Sequence, residues 1–152
     1  INLYGYTKNS PVRRIDIDGQ SWLEYNSQTN TITLKTIENP DLNDLDSGNV
    51  ITVASDEAFN NVVKGKSNFP TGVWDSDWYN PHPEKKNIEC KNNDIGTQGI
   101  YIFDVPGGGF GVHSGRCNAQ AKTKGCIRTT EDFMKHINDI VKGDPIDFII
   151  VR

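Results

Sequence analysis

The sequence has few apolar residues and no long apolar run. Hydrophobic residues make up 35% of its 152 positions, and no stretch approaches the roughly 18–20 apolar residues that a membrane-spanning helix needs. A membrane span is therefore not expected. Basic residues are also scarce, with 16 Lys and Arg against 20 Asp and Glu and a net charge of −4. Because binding to a phosphate backbone requires a basic surface, the composition argues against a nucleic-acid partner.

The first residues lack both features of a secretory signal peptide. The opening segment, INLYGYTKNS, has neither a basic region nor the apolar stretch that follows one. It also has no initiator methionine. We therefore expect a fragment of a larger protein, whose export would depend on an upstream address or on a delivery machine.

The sequence contains three cysteines, Cys90, Cys117 and Cys126. No pair of them has the CxxC or Cys/His spacing of a zinc site, so no metal site is predicted. In an oxidising compartment, an odd number favours one disulfide and one free thiol.

Short strand patterns dominate the chain. SWLEYNSQTNTITLKT alternates apolar and polar residues around the turn cluster NSQTN, which predicts a β-hairpin. VITVAS, GIYIFDV, FGVHS and PIDFIIV predict further strands. A Pro-Thr-Gly turn at 70–72 leads into an aromatic strand and then a long polar loop. Residues 38–50 are polar and turn-rich, which predicts a surface loop.

One segment, TTEDFMKHINDIVKG, has a strong helical pattern. Thr129 or Thr130 can cap it, acidic residues occupy its first turn and Gly143 ends it. Its apolar face consists of Phe133, Ile137, Ile140 and Val141. A weaker pattern, DEAFNNVVKGK, predicts one or two helical turns that end at Gly65. Many short strands with one good helix predict a β-rich α+β domain.

The segment VHSGRCNAQAKTKGCIR brings a histidine and a cysteine close together in the chain. A cysteine nucleophile needs its thiolate form, whose pKa is lowered by a nearby imidazolium or a helix N-terminus. Cys126 lies just before the predicted helix, and His113 ends a predicted strand whose return could bring the imidazole into reach. Gly125 permits a tight turn, so the amides of Gly125 and Cys126 can face a developing oxyanion.

The same loop is basic although the chain is acidic. Lys122, Lys124 and Arg128 favour a thiolate and an anionic substrate. On these residues alone, a buried structural cysteine is an equal alternative to a nucleophile.

The residues VHSG and TKGCIR resemble the signature of L,D-transpeptidases of the YkuD type, a His–Gly or His–Ser segment followed by [S/T]-x-G-C-hydrophobic-[R/N]. FPTGVW resembles the IPxGxY segment of that family. WLEYNSQTNTITL resembles the opening hairpin of L,D-transpeptidase-like effectors of type VI secretion. The resemblance covers residues 21–152 with gaps. It implies an L,D-transpeptidase-like β-sandwich, with one main helix following the catalytic cysteine loop.

The resemblance gives four residues catalytic roles. Cys126 is the nucleophile that accepts the acyl group, and His113 is the general base. Ser114 occupies the position whose carbonyl orients the histidine. Gly125 contributes an oxyanion-hole amide together with that of Cys126.

Three further residues are candidates for substrate binding. Thr123 occupies the [S/T] position of the signature. Arg128 supports the loop or binds a substrate carboxylate. Lys124 stands where many members have a second histidine, which is a departure from the family pattern.

The implied function is that of a cysteine acyl transferase on peptidoglycan tetrapeptide stems. The amide between meso-diaminopimelate and D-Ala is attacked, and the acyl-enzyme passes to water (L,D-carboxypeptidase) or to a D-amino acid (exchange). No cofactor is implied. In a periplasm, a disulfide between Cys90 and Cys117 would clamp the catalytic loop, and a free Cys117 is the equal alternative.

Residues 1–20 resemble the end of the conserved core of Rhs/YD-repeat proteins, where a run like NLYGYxxNxPVxxxDPxGL precedes a variable toxin. Ile17 and Gln20 depart from that pattern. The resemblance implies a linker over 1–20 and a toxin domain over 21–152 that is secreted, by a type VI or similar route, into the periplasm of a target cell. It also implies two partners, the Rhs shell and a cognate immunity protein.

Two other functions remain open. The His/Cys pair could belong to another hydrolase, such as a protease or deamidase in the target cytoplasm. Alternatively, the domain could be a non-catalytic module that binds the cell wall. Trp74, Trp78 and Tyr79 could line a substrate groove, and core packing or a lid is an equal alternative.

Overall fold

The computed structural model describes residues 21–38, 49–140 and 146–152. The predicted linker over 1–20, most of the predicted loop over 38–50, Val141 and Gly143 lie outside the described residues. The strands are β1 (Ser21–Asn26), β2 (Thr31–Glu38), β3 (Asn49–Phe59), β4 (Gly72–Asn80), β5 (Ile100–Phe103), β6 (Gly111–His113), β7 (Ile127–Thr129) and β8 (Ile146–Val151). One α-helix, α1, covers Glu131–Ile140, and two 3-10 helices cover Pro83–Lys85 and Cys90–Asn92.

The eight strands form a closed barrel in the order β1-β2-β3-β7-β6-β5-β4-β8. The prediction of a β-rich domain with one main helix is confirmed, but the expected sandwich is replaced by this barrel. The physical reason is that β8 pairs on both of its sides, parallel with β1 and antiparallel with β4. Closure pairs the backbone groups that the edges of two open sheets would expose.

The predicted hairpin is confirmed as β1 and β2, which pair antiparallel from Ser21 with Thr36 to Asn26 with Thr31. The Asn26 side chain accepts the backbone N–H groups of Gln28 and Thr29 at 2.9 and 3.2 Å. This Asx turn explains why the cluster NSQTN reverses the chain.

The predicted helical turns in DEAFNNVVKGK are wrong. β3 runs on to Phe59. It pairs with β2 from Asn49 to Glu57 and then with β7 at Ala58 and Phe59. These cross-strand contacts outweigh the weak local preference for a helix. Gly65 lies instead in a turn with φ +82°.

The predicted helix is confirmed as α1. The Thr130 hydroxyl accepts the N–H of Phe133 at 3.1 Å, which makes Thr130 the cap. Phe133, Met134 and Ile137 are buried in the core. With ten residues, α1 is too short to cross a bilayer, and none of the helices in the described ranges is long and apolar enough to do so.

Candidate active site

Two neighbouring parallel strands carry the histidine and the cysteine of the predicted site. β6 ends at His113, and β7 begins directly after Cys126. Val112 pairs with Ile127, and both side chains are in the core. His113 pairs with Arg128. Because side chains alternate along a strand, the neighbours His113 and Arg128 point to the outer face of the barrel. Cys126 precedes Ile127 by one residue, so the same alternation places its side chain on the outer face too.

Cys126 is the free thiol among the three cysteines, and its residue is partly exposed. Its sulfur lies 3.6 Å from the Gly109 carbonyl oxygen. The backbone N–H of Gly111 donates to the sulfur. The thiol is therefore held against β6, the strand that ends at His113.

The backbone fixes the tautomer of His113. Its Nδ1 lies 2.7 Å from the Ser114 carbonyl oxygen. A carbonyl only accepts hydrogen bonds, so Nδ1 carries the proton and Nε2 has the free lone pair. Ser114 thus stands where the resemblance expects the orienting carbonyl. The imidazole is 4% exposed, so this orientation is also held by packing.

Arg128 is a buried support of the loops around this histidine. Its Nη1 donates to the carbonyls of Ser114 and Asp94 at 2.9 and 2.8 Å, and its Nε donates to the Ala121 carbonyl at 3.1 Å. The residue is 2% exposed. Of the two roles expected for Arg128, the geometry therefore favours loop support over direct binding of a substrate carboxylate.

A tight turn presents the cysteine. Gly125 has φ +144°, a conformation that L side chains rarely adopt. The Thr123 hydroxyl donates to the Cys126 carbonyl at 2.7 Å and accepts the Gly125 N–H at 3.3 Å. Thr123 is buried, whereas Lys124 is exposed. Among the three residues expected to bind substrate, Lys124 is thus the one whose side chain solvent and substrate can reach.

Asn60 supports this turn from the other side and was not singled out in the sequence. Its Nδ2 donates to the carbonyls of Gly125 and Cys126 at 2.8 and 3.0 Å, and its Oδ1 accepts the Phe69 N–H at 2.7 Å. The two carbonyls lie 65 and 66 residues from Asn60 in the chain, so no local pattern could have revealed its role.

The acid–base pair is neutral at pH 7. Desolvation lowers the pKa of His113 to about 4, the hydrogen bond to Ser114 opposes this, and the charge of Arg128 adds to it. Burial raises the pKa of the Cys126 thiol, against the effects of the Gly111 N–H and of Arg128. The structure therefore differs from the predicted thiolate. Thr130, the cap of α1, lies four residues after Cys126, at the predicted spacing, and β7 occupies the residues between them.

Residues 93–98, the roof segment, close over the histidine end of the site. Asp94 accepts from Arg128 through its carbonyl, and Thr97 donates to the Glu131 carboxylate from its N–H and its hydroxyl, both at 2.9 Å. A side chain at Gly96 would collide with the Ser114 hydroxyl and with Glu131. The Ser114 hydroxyl is itself buried without a hydrogen-bond partner among the described residues.

A disulfide joins the 3-10 helix that directly precedes the roof segment to the chain that follows the histidine. Cys90 and Cys117 are bonded, with their Cα atoms 5.0 Å apart. Arg116 and Cys117 have φ values of +60° and +53°, which are uncommon for residues with side chains. The Arg116 N–H donates to the Asn93 carbonyl at 2.9 Å. The bond and this contact together hold the segment from Ser114 to Cys117 in its unusual conformation.

The three aromatic residues considered for a groove lie in different places. Trp74 is partly buried, packs against the core and donates to the Pro70 carbonyl at 3.0 Å. Tyr79 packs against Tyr101 in a tilted arrangement, with ring centroids 4.7 Å apart. Trp78 is 49% exposed and, by its strand register, shares the outer face with Cys126. Trp78 is thus the one of the three that the strand register places on the same face as Cys126.

No group of three or more His, Cys, Asp or Glu residues in the described ranges is arranged to hold a metal ion. His82 contacts Glu84 with its Nδ1 at 2.7 Å, in the long loop after β4.

The fold is similar to those of several bacterial proteins, L,D-transpeptidases among them. The helical cell shape determining protein Pgp2 from Campylobacter jejuni is 13% identical, with a TM-score of 0.64 over 91% of this chain and 51% of that one. Bd1075 from Bdellovibrio bacteriovorus is 12% identical, with a TM-score of 0.63 over 88% and 48%. L,D-transpeptidase 1 from Mycobacterium tuberculosis is 12% identical, with a TM-score of 0.52 over 88% and 62%.

The chain spans about half the length of the first two of these proteins. No protein-family model matches the sequence, and no curated protein matches it either. At these identities the likeness is one of fold: the chain has an L,D-transpeptidase-like fold.

Proposed function

We propose that this domain is a cysteine acyl transferase that acts on peptidoglycan tetrapeptide stems as an L,D-carboxypeptidase or L,D-transpeptidase. One observation carries the proposal. The Ser114 carbonyl holds His113 Nδ1 at 2.7 Å, which leaves Nε2 as a base on the face that also carries the free thiol of Cys126. The L,D-transpeptidase-like fold supports the same substrate class.

The first step is acylation of the thiol. The Cys126 sulfur attacks the carbonyl carbon of the meso-diaminopimelyl–D-Ala amide while its proton passes to His113 Nε2. The C–N bond then breaks, and the same proton goes from His113 to the nitrogen of the leaving D-Ala. A neutral imidazole and a neutral thiol suit this sequence, because proton transfer accompanies the attack.

The negative oxygen of the intermediate needs hydrogen-bond donors. We assign this role to the N–H groups of Gly125 and Cys126. The contact of the Gly125 N–H with the Thr123 hydroxyl is long, at 3.3 Å, so a stronger acceptor can displace it. The Asn60 contact to the Gly125 carbonyl keeps the peptide plane that carries the Cys126 N–H in a fixed orientation.

The second step resolves the thioester. Water or the amine of a D-amino acid attacks the acyl carbon and gives a proton to His113 Nε2, and the proton then returns to the Cys126 sulfur as the C–S bond breaks. Water gives a tripeptide stem, and a D-amino acid gives an exchanged tetrapeptide. Either product removes the tetrapeptide donors on which wall cross-linking by transpeptidases depends.

In the cell, we propose that the domain is the toxin of an Rhs protein, delivered by type VI or similar secretion into the periplasm of a competitor. The Rhs-like residues 1–20 motivate this proposal. The Cys90–Cys117 disulfide supports an oxidising compartment and so disfavours a protease or deamidase in the cytoplasm. A cognate immunity protein would block the cysteine site in the producing cell.

A non-catalytic wall-binding module is the second candidate, and the raised pKa of Cys126 is the observation that favours it. Such a module would bind muropeptides without changing them. Incubation of the domain with disaccharide-tetrapeptide muropeptides, followed by mass measurement, separates the two. Loss of one alanine with the wild type and not with Cys126→Ala supports the enzyme; unchanged muropeptides in both samples would overturn it.

A further inference from the structure

The outer face of β4, β5, β6 and β7 carries two rows of side chains at right angles to the strands. The open row follows the pairs Trp78–Ile102 and Ile102–Gly111 and ends at Cys126. The roofed row contains Asn80, Ile100, His113 and Arg128.

The two rows differ sharply in their exposure. In the roofed row, Ile100 is 7% exposed and His113 is 4% exposed, because the chain from Pro81 to the roof segment covers them. In the open row, Trp78 is 49% exposed and Ile102 is partly exposed. The open row is thus the side from which an extended chain can reach the sulfur.

The open row has the shape of a track. Gly111 contributes no side chain between Cys126 and Ile102, and a Cβ there would lie 2.6 Å from the Tyr101 carbonyl oxygen and 3.0 Å from the Ile100 side chain, which borders the track on the side of the roofed row. At the far end, the register of β4 shifts between Ser76 and Trp78, so Asp77 is an extra residue. Bulges of this kind re-aim a side chain and are frequent beside active sites. Here the bulge places the indole of Trp78 at the end of the open row.

The charges at the two ends differ in sign. Asp77 is exposed next to Trp78, and Lys122 and Lys124 are exposed beside Cys126. The leaving D-Ala of a tetrapeptide carries a free carboxylate, which the lysines attract and Asp77 repels. The leaving group is therefore directed to the lysine end, and the rest of the donor stem runs towards Trp78.

The length of the track sets which part of the stem reaches its end. Trp78 and Cys126 are three strand spacings apart, roughly 14 Å at about 4.8 Å per spacing. An extended peptide advances about 3.3 Å per residue, so this distance corresponds to about four residues. The donor stem has three residues before the cleaved bond and is joined to an amino sugar beyond them.

We propose that Trp78 and Ile102 form a remote donor subsite, in which the indole packs against the sugar-linked end of the stem peptide. This subsite rests on the proposed function and specifies its donor: a stem still attached to its amino sugar is used better than a short peptide with the same scissile bond. An exposed aromatic ring supplies a large contact area with little loss of conformational freedom.

The test compares two donors, a disaccharide-tetrapeptide and N-acetyl-meso-diaminopimelyl-D-alanine, by the rate of alanine release. With Trp78→Ala, we expect kcat/KM to fall about tenfold on the long donor and to stay unchanged on the short one. Trp78→Phe should keep most of the activity on the long donor. Val50→Ala, which removes apolar surface from a residue 53% exposed near the start of β3, should change neither rate.

Four outcomes would overturn the subsite. An equal fall on both donors would place Trp78 in the chemistry or the fold, and no fall on the long donor would exclude contact. A wild type that releases alanine from both donors equally well would refute the subsite and leave the proposed function intact. A wild type that releases alanine from neither donor would overturn both.

Discussion

His113 and Arg128 share one acceptor, the carbonyl oxygen of Ser114. His113 Nδ1 lies 2.7 Å from it and Arg128 Nη1 lies 2.9 Å from it. One lone pair of the carbonyl thus fixes the histidine tautomer while the other binds a buried cation. The guanidinium couples this carbonyl to the roof segment and to the loop before the cysteine, so the orientation of the base depends on both loops. The same positive charge opposes protonation of His113.

The buried neutral His113 makes stability depend on pH. Its pKa in the folded protein is about 4, against about 6.5 in the unfolded chain. Between these values the unfolded chain binds the extra proton, so stability is full above pH 6.5 and falls as the pH is lowered towards 4. The expected loss is about 3 kcal/mol, measured as the free energy of unfolding in urea at a series of pH values.

The matched control for this titration is His113→Gln, which cannot titrate. The difference in the free energy of unfolding between the wild type and this variant should shrink on acidification over the same range. A difference that is independent of pH would show that His113 has the same pKa in the folded protein as in the unfolded chain, which would contradict this prediction.

Asn60→Ala should destabilise the protein and slow the reaction. The variant leaves the Gly125 and Cys126 carbonyls and the Phe69 N–H without their partner, at a cost of about 2 kcal/mol. Loss of the support under the turn should lower kcat more than it raises KM, because the Gly125 carbonyl that Asn60 holds shares its peptide plane with the Cys126 N–H, one of the two oxyanion donors. Thermal melting and alanine-release kinetics measure the two effects.

The neighbouring Asn61 offers the control. Its Nδ2 donates to the Gln120 carbonyl at an exposed position, so Asn61→Ala should keep both stability and kcat close to those of the wild type. Equal effects of the two substitutions would contradict a specific role for Asn60.

Reduction of the Cys90–Cys117 disulfide should loosen the roof segment. The bond closes a loop between residues 27 positions apart, and its loss should cost about 3 kcal/mol. Activity should fall as well, because Ser114, which orients His113, lies three residues before Cys117. The melting temperature and alanine release of the wild type, with and without reductant, test this expectation.

The double variant Cys90→Ser with Cys117→Ser separates this effect from chemistry at Cys126. It should match the reduced wild type and should not respond to reductant. A variant as stable and active as the oxidised wild type would show that the bond does not support the site.

Local patterns in the sequence were sufficient for some elements of the fold. The β1–β2 hairpin and α1 each carry their signal within a short segment, in the NSQTN turn and in the cap and apolar face of the helix. The extension of β3 to Phe59 was missed because its residues are held by β2 and β7, and that pairing leaves no local mark. Closure of the barrel depends on β1 and β8, which lie at opposite ends of the domain.

The candidate site, like the fold, was predictable from the sequence only in part. The His–Ser and Gly–Cys segments identify His113, Ser114, Gly125 and Cys126 as candidates. Asn60 and the shared carbonyl of Ser114 depend on contacts between distant segments, which the sequence does not encode locally. The neutral state of His113 also escaped prediction, since it follows from burial under the roof segment and not from any neighbour in the chain.

The most direct test of the proposed chemistry is to find the acyl group on the sulfur of Cys126. Wild-type protein is mixed with a disaccharide-tetrapeptide, quenched in acid within the first turnover, digested and measured by mass spectrometry. The peptide that contains Cys126 should gain the mass of the donor less alanine, and Cys126→Ala should neither gain it nor release alanine. Alanine release that persists in Cys126→Ala, or an adduct on another residue, would contradict the assignment of Cys126 as the nucleophile.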